Sequence, residues 1–297
     1  MFNGFPEDRF LFFDGAMGTM LQRGGLKAGE NPNVMNMTAP EAVFEVHRQY
    51  IEAGSDIIIT NTFGSNRRTL AAAGYDAPDV VAAAVGAARR AASGSGAAVA
   101  LDIGPIGDFI EPCGDITFEE ACALFAEQMT AGAAAGADLI AIETMSDLAE
   151  TRAALLAARE NTPLPVFVMM TFNADGRTYM GCTPESFAEA AAEFGAAAFG
   201  VNCSLGPDSI FPIVEKMSRI SHIPLIVKPN AGLPNALTGR YDLSADMFAL
   251  QMERFADLNT RVVGGCCGTD PGYIRALRRA FGGKRPRGPL TPPPFRA

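Results

Sequence analysis

The sequence predicts an α/β fold in which a single domain forms a closed (β/α)8 TIM barrel. Eight short apolar runs recur along the 297 residues, and a turn and a helix-like stretch follow each of them. Uninterrupted apolar runs are typical of parallel strands that are buried on both faces. Because eight strand–helix units close a barrel of about 250 residues, this count favours a barrel over an open, doubly wound sheet.

The predicted strands are spaced so that a helix fits after each. They span residues 10–13, 56–60, 98–102, 138–142, 165–171, 197–201, 224–227 and 261–265. The segments between them are rich in Ala, Glu, Arg and Leu, which have high helix propensity. We predict helices over residues 40–53, 118–136, 147–160, 184–194, 207–218, 244–255 and 271–281, and in the alanine-rich tract 71–98. Thr183-Pro184 and Asp270-Pro271 are typical helix starts, in which an N-cap residue precedes a first-turn proline.

Composition excludes several classes of protein. A net charge of −9 argues against a nucleic-acid partner, which needs clustered Lys and Arg. No apolar stretch approaches the length of a membrane span, and residues 1–9 lack a signal-peptide pattern. The six cysteines are therefore expected to be reduced thiols of a cytoplasmic enzyme. We predict that residues 1–282 form the barrel and residues 283–297 a proline-rich, basic tail outside it.

Three cysteines at the ends of two predicted strands form a candidate metal site. Cys203 follows the sixth strand, and the adjacent Cys266 and Cys267 follow the eighth strand between glycines. Strand ends meet at one rim of a barrel, so the three thiols are expected to bind one ion. Structural zinc sites have four protein ligands, whereas catalytic sites keep one position open for substrate. The alternative is that each cysteine is a small buried core residue.

Other polar residues follow strands at the same rim. Asp14 is expected to contact a ligand amine, unless it only caps the next helix. Glu143 ends an apolar run, where it either binds a substrate ammonium or forms a structural ion pair. Asn230 is either a turn residue or a group that occupies the open metal position until substrate arrives. Thr62 and Phe63 are expected to shape the pocket.

Several of these rim segments together resemble one family. Asp14-Gly15-Ala16-Met17-Gly18-Thr19, Asn61-Thr62-Phe63, Glu143-Thr144, Gly200-Val201-Asn202-Cys203 and Gly264-Gly265-Cys266-Cys267-Gly268 are similar to motifs of the homocysteine S-methyltransferase family. The resemblance covers residues 8–282 in the correct order. Leu205-Gly206-Pro207 and Pro229-Asn230-Ala231-Gly232-Leu233-Pro234 resemble, within that family, the homocysteine-binding module of cobalamin-dependent methionine synthase.

The resemblance implies a zinc-dependent enzyme of methionine biosynthesis that methylates homocysteine. It implies that Cys203, Cys266 and Cys267 bind Zn2+. It also implies that Asp14 and Glu143, with backbone groups at Gly15 and Ala16, hold the amino-acid end of homocysteine. A thiol has a pKa of about 8.5 in water, and coordination to zinc deprotonates it. The resulting thiolate is the expected nucleophile that attacks a methyl group.

The sequence leaves the methyl donor open. No cobalamin-binding pattern of the Asp-x-His-x-x-Gly type occurs, so the preferred interpretation is a methylcorrinoid (methylcobalamin) on a separate protein or domain. The alternative is a small onium donor: glycine betaine, dimethylsulfoniopropionate or S-methylmethionine. No Trp and only five Tyr are present, so an aromatic cage for such a cation is less evident. A more remote alternative is a non-catalytic zinc-binding partner subunit. The oligomeric state is not predicted.

Overall fold

Eight parallel strands form the wall of a barrel in the computed structural model, which describes residues 4–27, 29–235 and 237–287. The strands are β1 (Leu11–Phe12), β2 (Ile57–Ile59), β3 (Ala98–Ile103), β4 (Leu139–Met145), β5 (Val166–Met170), β6 (Ala198–Asn202), β7 (Leu225–Lys228) and β8 (Thr260–Val263). They pair in the order β1-β8-β7-β6-β5-β4-β3-β2, and a parallel bridge between Phe13 and Ile57 joins β1 to β2. The predicted single-domain (β/α)8 barrel is therefore confirmed.

Helices surround the strands. They are α1 (Met17–Arg23), α2 (Met35–Thr38), α3 (Pro40–Ala53), α4 (Arg67–Ala71), α5 (Ala77–Ala92), α6 (Phe118–Ala134), α7 (Leu148–Asn161), α8 (Pro184–Glu193), α9 (Pro207–Ile220), α10 (Ala245–Met252) and α11 (Pro271–Phe281). Short 3-10 helices span Pro32–Val34 and Glu253–Asp257. The predicted caps are present, since Thr183 accepts a hydrogen bond from the Ser186 amide and Asp270 accepts one from the Gly272 amide.

Some local structure differs in extent from the prediction. The helix in the alanine-rich tract 71–98 is α5, which starts only at Ala77, after Gly74 adopts a left-handed φ of 75°. The short helices α1, α2 and α4 were not predicted, because they are too short to show an apolar repeat. The fourth strand also runs further than expected, to Met145. A register shift between Ile142 and Met145 lets the strand pass an irregular step and pair again with Met170.

The barrel interior is filled by apolar side chains in its lower part. This interior cluster consists of Leu11, Phe13, Ile57, Ile59, Ala100, Leu139, Ala141, Phe167, Met169, Ala198, Ile226 and Val262. Phe5 stacks on Phe167 with ring centroids 5.5 Å apart. A larger cluster packs the helices against the outer face of the strands. Because the interior is filled, the polar groups at the carboxyl ends of the strands form the floor of an open mouth.

Most of the predicted tail, residues 288–297, lies outside the described residues. At its start, the Lys284 ammonium is 2.6 Å from the Glu253 carboxylate, and the Arg287 guanidinium is 2.9 Å from Asp257. None of the helices within the described ranges combines the length and apolar character that crossing a bilayer requires.

Gly200 on β6 tests how tightly the strands pack. A Cβ at this position would lie 1.9 Å from the Ile226 carbonyl oxygen of the neighbouring strand. Since backbone must move to relieve that contact, we expect Gly200→Ala to lower the free energy of unfolding by about 1–3 kcal/mol or more. Denaturant titration followed by circular dichroism measures the loss.

The matched control is Gly86→Ala on α5, where nothing lies within 4 Å of the added Cβ. An alanine inside a helix is more favourable than glycine, so this variant should gain about 0.5–1 kcal/mol. Equal stability of the two variants would contradict the packing described here.

Candidate active site

The thiols of Cys203, Cys266 and Cys267 come together at the barrel mouth. Their three sulfur atoms all lie within 4.8 Å of one another, and the sulfurs of Cys203 and Cys267 are 3.7 Å apart. Sulfur ligands about 2.3 Å from a tetrahedral zinc ion are about 3.8 Å from each other. Contacts with Cys203 and Cys266 lower the pKa of the Cys267 thiol, whereas contacts with Cys203 and Cys267 raise the pKa of the Cys266 thiol. Without a metal, the cluster therefore favours a thiolate at Cys267. The donor set and its spacing fit a zinc ion.

Backbone hydrogen bonds between neighbouring strand ends hold the cysteines in place. The Cys203 amide donates to the Lys228 carbonyl (3.1 Å), and the Cys266 amide donates to the Pro229 carbonyl (2.8 Å). The Cys267 carbonyl accepts from the Ala231 amide at 3.0 Å. The segment after β7 thus lies between the two cysteine segments and sets their separation.

Gly15 and Ala16 lie against the segment that follows the two cysteines. A Cβ on Gly15 would be 2.5 Å from the Thr269 hydroxyl and 2.9 Å from the Tyr50 hydroxyl, so only glycine fits. The Ala16 amide is 3.3 Å from the Thr269 hydroxyl, and the Ala16 carbonyl accepts from the Tyr50 hydroxyl at 3.1 Å. This packing brings the start of α1 beside the cysteine site.

A buried ion pair forms the floor of the mouth. The Lys228 ammonium is 3.0 Å from Glu143 Oε2 and 4.5 Å from the centroid of the Phe13 ring. The lysine side chain is only 2% exposed. Burial alone would lower the pKa of Lys228, but the charges of Glu143 and Asp14 outweigh it and raise that pKa. Gly264 leaves room for the Lys228 side chain. A Cβ added at Gly264 would lie only 3.3 Å from Lys228 Cγ, which is closer than ordinary van der Waals contact.

Two further carboxyl groups are buried beside this ion pair. Asp14 Oδ2 accepts a hydrogen bond from the Ile59 amide at 2.8 Å, whereas Asp14 Oδ1 has no hydrogen-bond partner. Asp14 therefore links β1 to β2 and does not cap α1, whose N-cap residue is Ala16. Burial raises the pKa of Asp14 to about 7, although Lys228 lowers it. Burial and the charge of Glu143 raise the pKa of Asp102 well above its usual value.

The remaining predicted residues also lie at the rim, in different settings. Asn230 is buried, and its side-chain oxygen has no hydrogen-bond partner among the described residues. The Thr62 hydroxyl is buried and donates to the Asp102 carbonyl at 2.7 Å, so it supports the rim from below. Phe63 is 41% exposed, and its ring packs closely on Gly104. A Cβ added to Gly104 would lie 2.6 Å from the ring.

Sequence reasoning missed the roles of Asp102, Lys228 and Asn202. Asp102 and Lys228 are charged residues at the carboxyl end of an apolar run. The same pattern identified Glu143 as a candidate site residue. A lone positive charge after Leu-Ile-Val at a predicted strand end is unusual in a core, so this signal was available for Lys228. Asn202 precedes Cys203 and was seen only as part of a motif.

Comparisons with known proteins show the family of this chain. The family model described as homocysteine S-methyltransferase matches residues 11–281. The chain belongs to the homocysteine S-methyltransferase family. The family match therefore supports a methyltransferase that acts on homocysteine.

Solved structures of one bacterial protein share the fold. The oxidized and metallated forms of the Escherichia coli homocysteine methyltransferase MmuM each have a TM-score of 0.80 and 23% sequence identity. The match to the oxidized form covers 91% of this chain and 95% of that chain. The match to the metallated form covers 92% of this chain and 96% of that chain. The apo form matches with a TM-score of 0.73 and 22% identity over 92% of this chain and 97% of that one.

Removal of Lys228 tests the buried ion pair. Lys228→Met leaves Glu143 without its cation in an environment where an unpaired charge is costly, so the free energy of unfolding should fall by about 3–5 kcal/mol. Lys216→Met is the matched control, because Lys216 pairs with Glu185 at the surface (2.6 Å) with 52% of its side chain exposed. That control should change stability by about 0–1 kcal/mol in the same denaturant titration. A loss at position 228 no larger than at position 216 would contradict a buried pair.

Proposed function

We propose that Cys203, Cys266 and Cys267 bind Zn2+ and that homocysteine takes the fourth position through its sulfur. The observation that carries this proposal is the group of three sulfurs within 4.8 Å at the mouth of a barrel of this family. Three protein ligands leave the open position that a catalytic zinc site requires. Zinc bound there would lower the pKa of the homocysteine thiol and so supply the nucleophile. The metallated form of the similar E. coli enzyme supports a metal in this fold.

The amino-acid end of homocysteine is proposed to bind the carboxyl groups of the mouth. Asp14 and Glu143 face a space that already contains one cation, Lys228, near several carboxyl groups. Asp14 Oδ1 is buried without a hydrogen-bond partner, and a substrate ammonium would supply one. Backbone groups at Gly15 and Ala16 are the proposed contacts of the substrate carboxylate. Thr62 and Phe63 would shape the wall, and Asn230 would approach the metal position when homocysteine is absent.

The methyl group is proposed to come from a methylcorrinoid on a separate protein or domain. Large apolar side chains are exposed in the loops that follow β2, β3, β5 and β7, at the mouth. They are Phe63 (41% exposed), Phe109 (51%), Tyr179 (78%), Leu233 (63%) and Leu237 (96%). Exposed apolar side chains around a mouth favour a macromolecular partner. The small onium donors remain the second candidate, because Tyr241 packs against Gly268 beside Cys267 and adds an aromatic ring to the wall.

The same proposal includes a cytoplasmic location. The proposed zinc site requires Cys203, Cys266 and Cys267 as thiolates that are not joined in disulfides. A compartment that keeps thiols reduced suits such a site.

Cysteine variants test the metal site. Cys203→Ala, Cys266→Ala and Cys267→Ala each remove one of three protein ligands, so zinc affinity should fall by about tenfold or more. Metal analysis after dialysis against a chelator measures the retained zinc. Cys122→Ala is the matched control, because Cys122 lies on α6 away from the cluster. Full zinc retention in all three variants would show that the metal site is elsewhere.

A comparison of donors tests the reaction. Purified zinc-loaded protein is incubated with homocysteine and, in separate reactions, methylcobalamin, glycine betaine, dimethylsulfoniopropionate or S-methylmethionine. We expect methionine to form fastest with methylcobalamin and formation to be lost in Cys203→Ala. A faster reaction with an onium compound would replace the corrinoid donor by that compound. Binding of homocysteine without methionine from any donor would favour the non-catalytic partner subunit.

A further inference from the structure

Three strained residues gather at the mouth. Among the residues that the structure describes, the non-glycine residues with a left-handed φ are Thr144 (62°), Cys203 (62°) and Ser204 (58°). Such a conformation is unfavourable for side chains with a Cβ, and it persists only where surrounding contacts enforce it. Thr144 follows the carboxylate residue Glu143, and Cys203 is one of the three cysteines. The strain is therefore located at the two ends of the proposed homocysteine site.

One buried side chain connects these strained positions. Asn202 immediately precedes Cys203 and is fully buried. Its side-chain oxygen accepts a hydrogen bond from the Thr144 amide at 2.8 Å, and its side-chain nitrogen donates to the Thr144 hydroxyl at 2.8 Å. The same nitrogen is 3.9 Å from the Cys266 sulfur. Asn202 thus contacts β4 at Thr144 and the cysteine segment after β8.

These contacts explain how the end of β4 is held. The register of β4 against β5 shifts between Ile142 and Met145, and Glu143 and Thr144 occupy the irregular step. Within that step the Thr144 amide donates to the side-chain oxygen of Asn202 at 2.8 Å. The direction of the Glu143 side chain depends on the backbone of this step, because Thr144 is its direct neighbour. Lys228 holds Glu143 Oε2 through an ion pair at 3.0 Å.

We propose that Asn202 is a positioning residue, which holds the Glu143 carboxylate at a fixed distance from the zinc-binding cysteines. Its two hydrogen bonds to Thr144 keep that residue in the left-handed conformation, and its place in the chain ties this geometry to Cys203. Homocysteine carries its thiol and its ammonium on one short chain, so binding both ends requires that separation to be fixed. This inference rests on the proposed function of the site, and it assigns selectivity for an amino-acid thiol to a residue that acts through the position of Glu143.

Binding of two thiols by zinc-loaded protein tests the inference without a methyl donor. Homocysteine is compared by titration calorimetry with 4-mercaptobutyrate, which is homocysteine without its amino group. Asn202→Ala should weaken homocysteine binding about tenfold or more, while 4-mercaptobutyrate binding changes by less than about threefold. Zinc should remain stoichiometric, because all three cysteines are still present. A residue that only stabilises the fold would not change the ratio of the two affinities.

Thr144→Gly serves as a second variant, in case Asn202→Ala folds poorly. Glycine adopts a φ of 62° without strain, so this variant should fold, yet it lacks the hydroxyl that Asn202 contacts. We expect the same loss of preference for homocysteine. The control is Asn259→Ala, which removes side-chain hydrogen bonds to the His222 and Ile223 carbonyls at the other end of the barrel and should leave the ratio unchanged.

The outcomes distinguish a failure of the role proposed for Asn202 from a failure of the proposed homocysteine site. If wild-type protein binds homocysteine selectively and both variants at positions 202 and 144 keep the wild-type ratio, Asn202 is not a positioning residue. If wild-type, zinc-loaded protein fails to bind homocysteine, the proposed function of the site is wrong and the inference falls with it. Loss of zinc in Asn202→Ala would instead make Asn202 a support of the metal site, which also overturns the inference.

Discussion

The ion pair between Lys228 and Glu143 is the contact on which the other polar groups of the mouth depend. Both side chains lie above an apolar interior, so neither charge can be solvated from below. Asp14 and Asp102 share the same region, and burial raises the pKa of each. One lysine therefore lies beside three carboxyl groups. The substrate ammonium proposed above would add a second cation to this group.

The barrel topology explains why the proposed ammonium site and the cysteine site are neighbours. Every strand is parallel, so the last residues of β4, β6, β7 and the segment after β8 all reach one rim. Lys228 belongs to both sites, because its ammonium pairs with Glu143 and its carbonyl accepts from the Cys203 amide. A small molecule with a thiol at one end and an ammonium near the other fits this arrangement. Homocysteine is such a molecule.

The fold and the cysteine cluster were predictable from the sequence, whereas the connections between them were not. Apolar runs identify the strands, and parallel strand ends bring Cys203 to Cys266 and Cys267 without further information. The irregular step at Thr144 has no sequence signal, since a left-handed φ is usually predicted only for glycine or asparagine. The pairing of Glu143 with Lys228 joins residues 85 positions apart, and it follows only from the order of strands in the closed barrel.

We propose that the three cysteine sulfurs bind zinc and that the homocysteine sulfur completes the coordination. X-ray absorption spectroscopy at the zinc edge tests it directly, with the zinc-loaded protein measured before and after addition of homocysteine. We expect three sulfur neighbours at about 2.3 Å and one lighter atom before addition, and four sulfur neighbours afterwards. Three or fewer sulfur neighbours after saturation with homocysteine would show that its sulfur does not bind the metal.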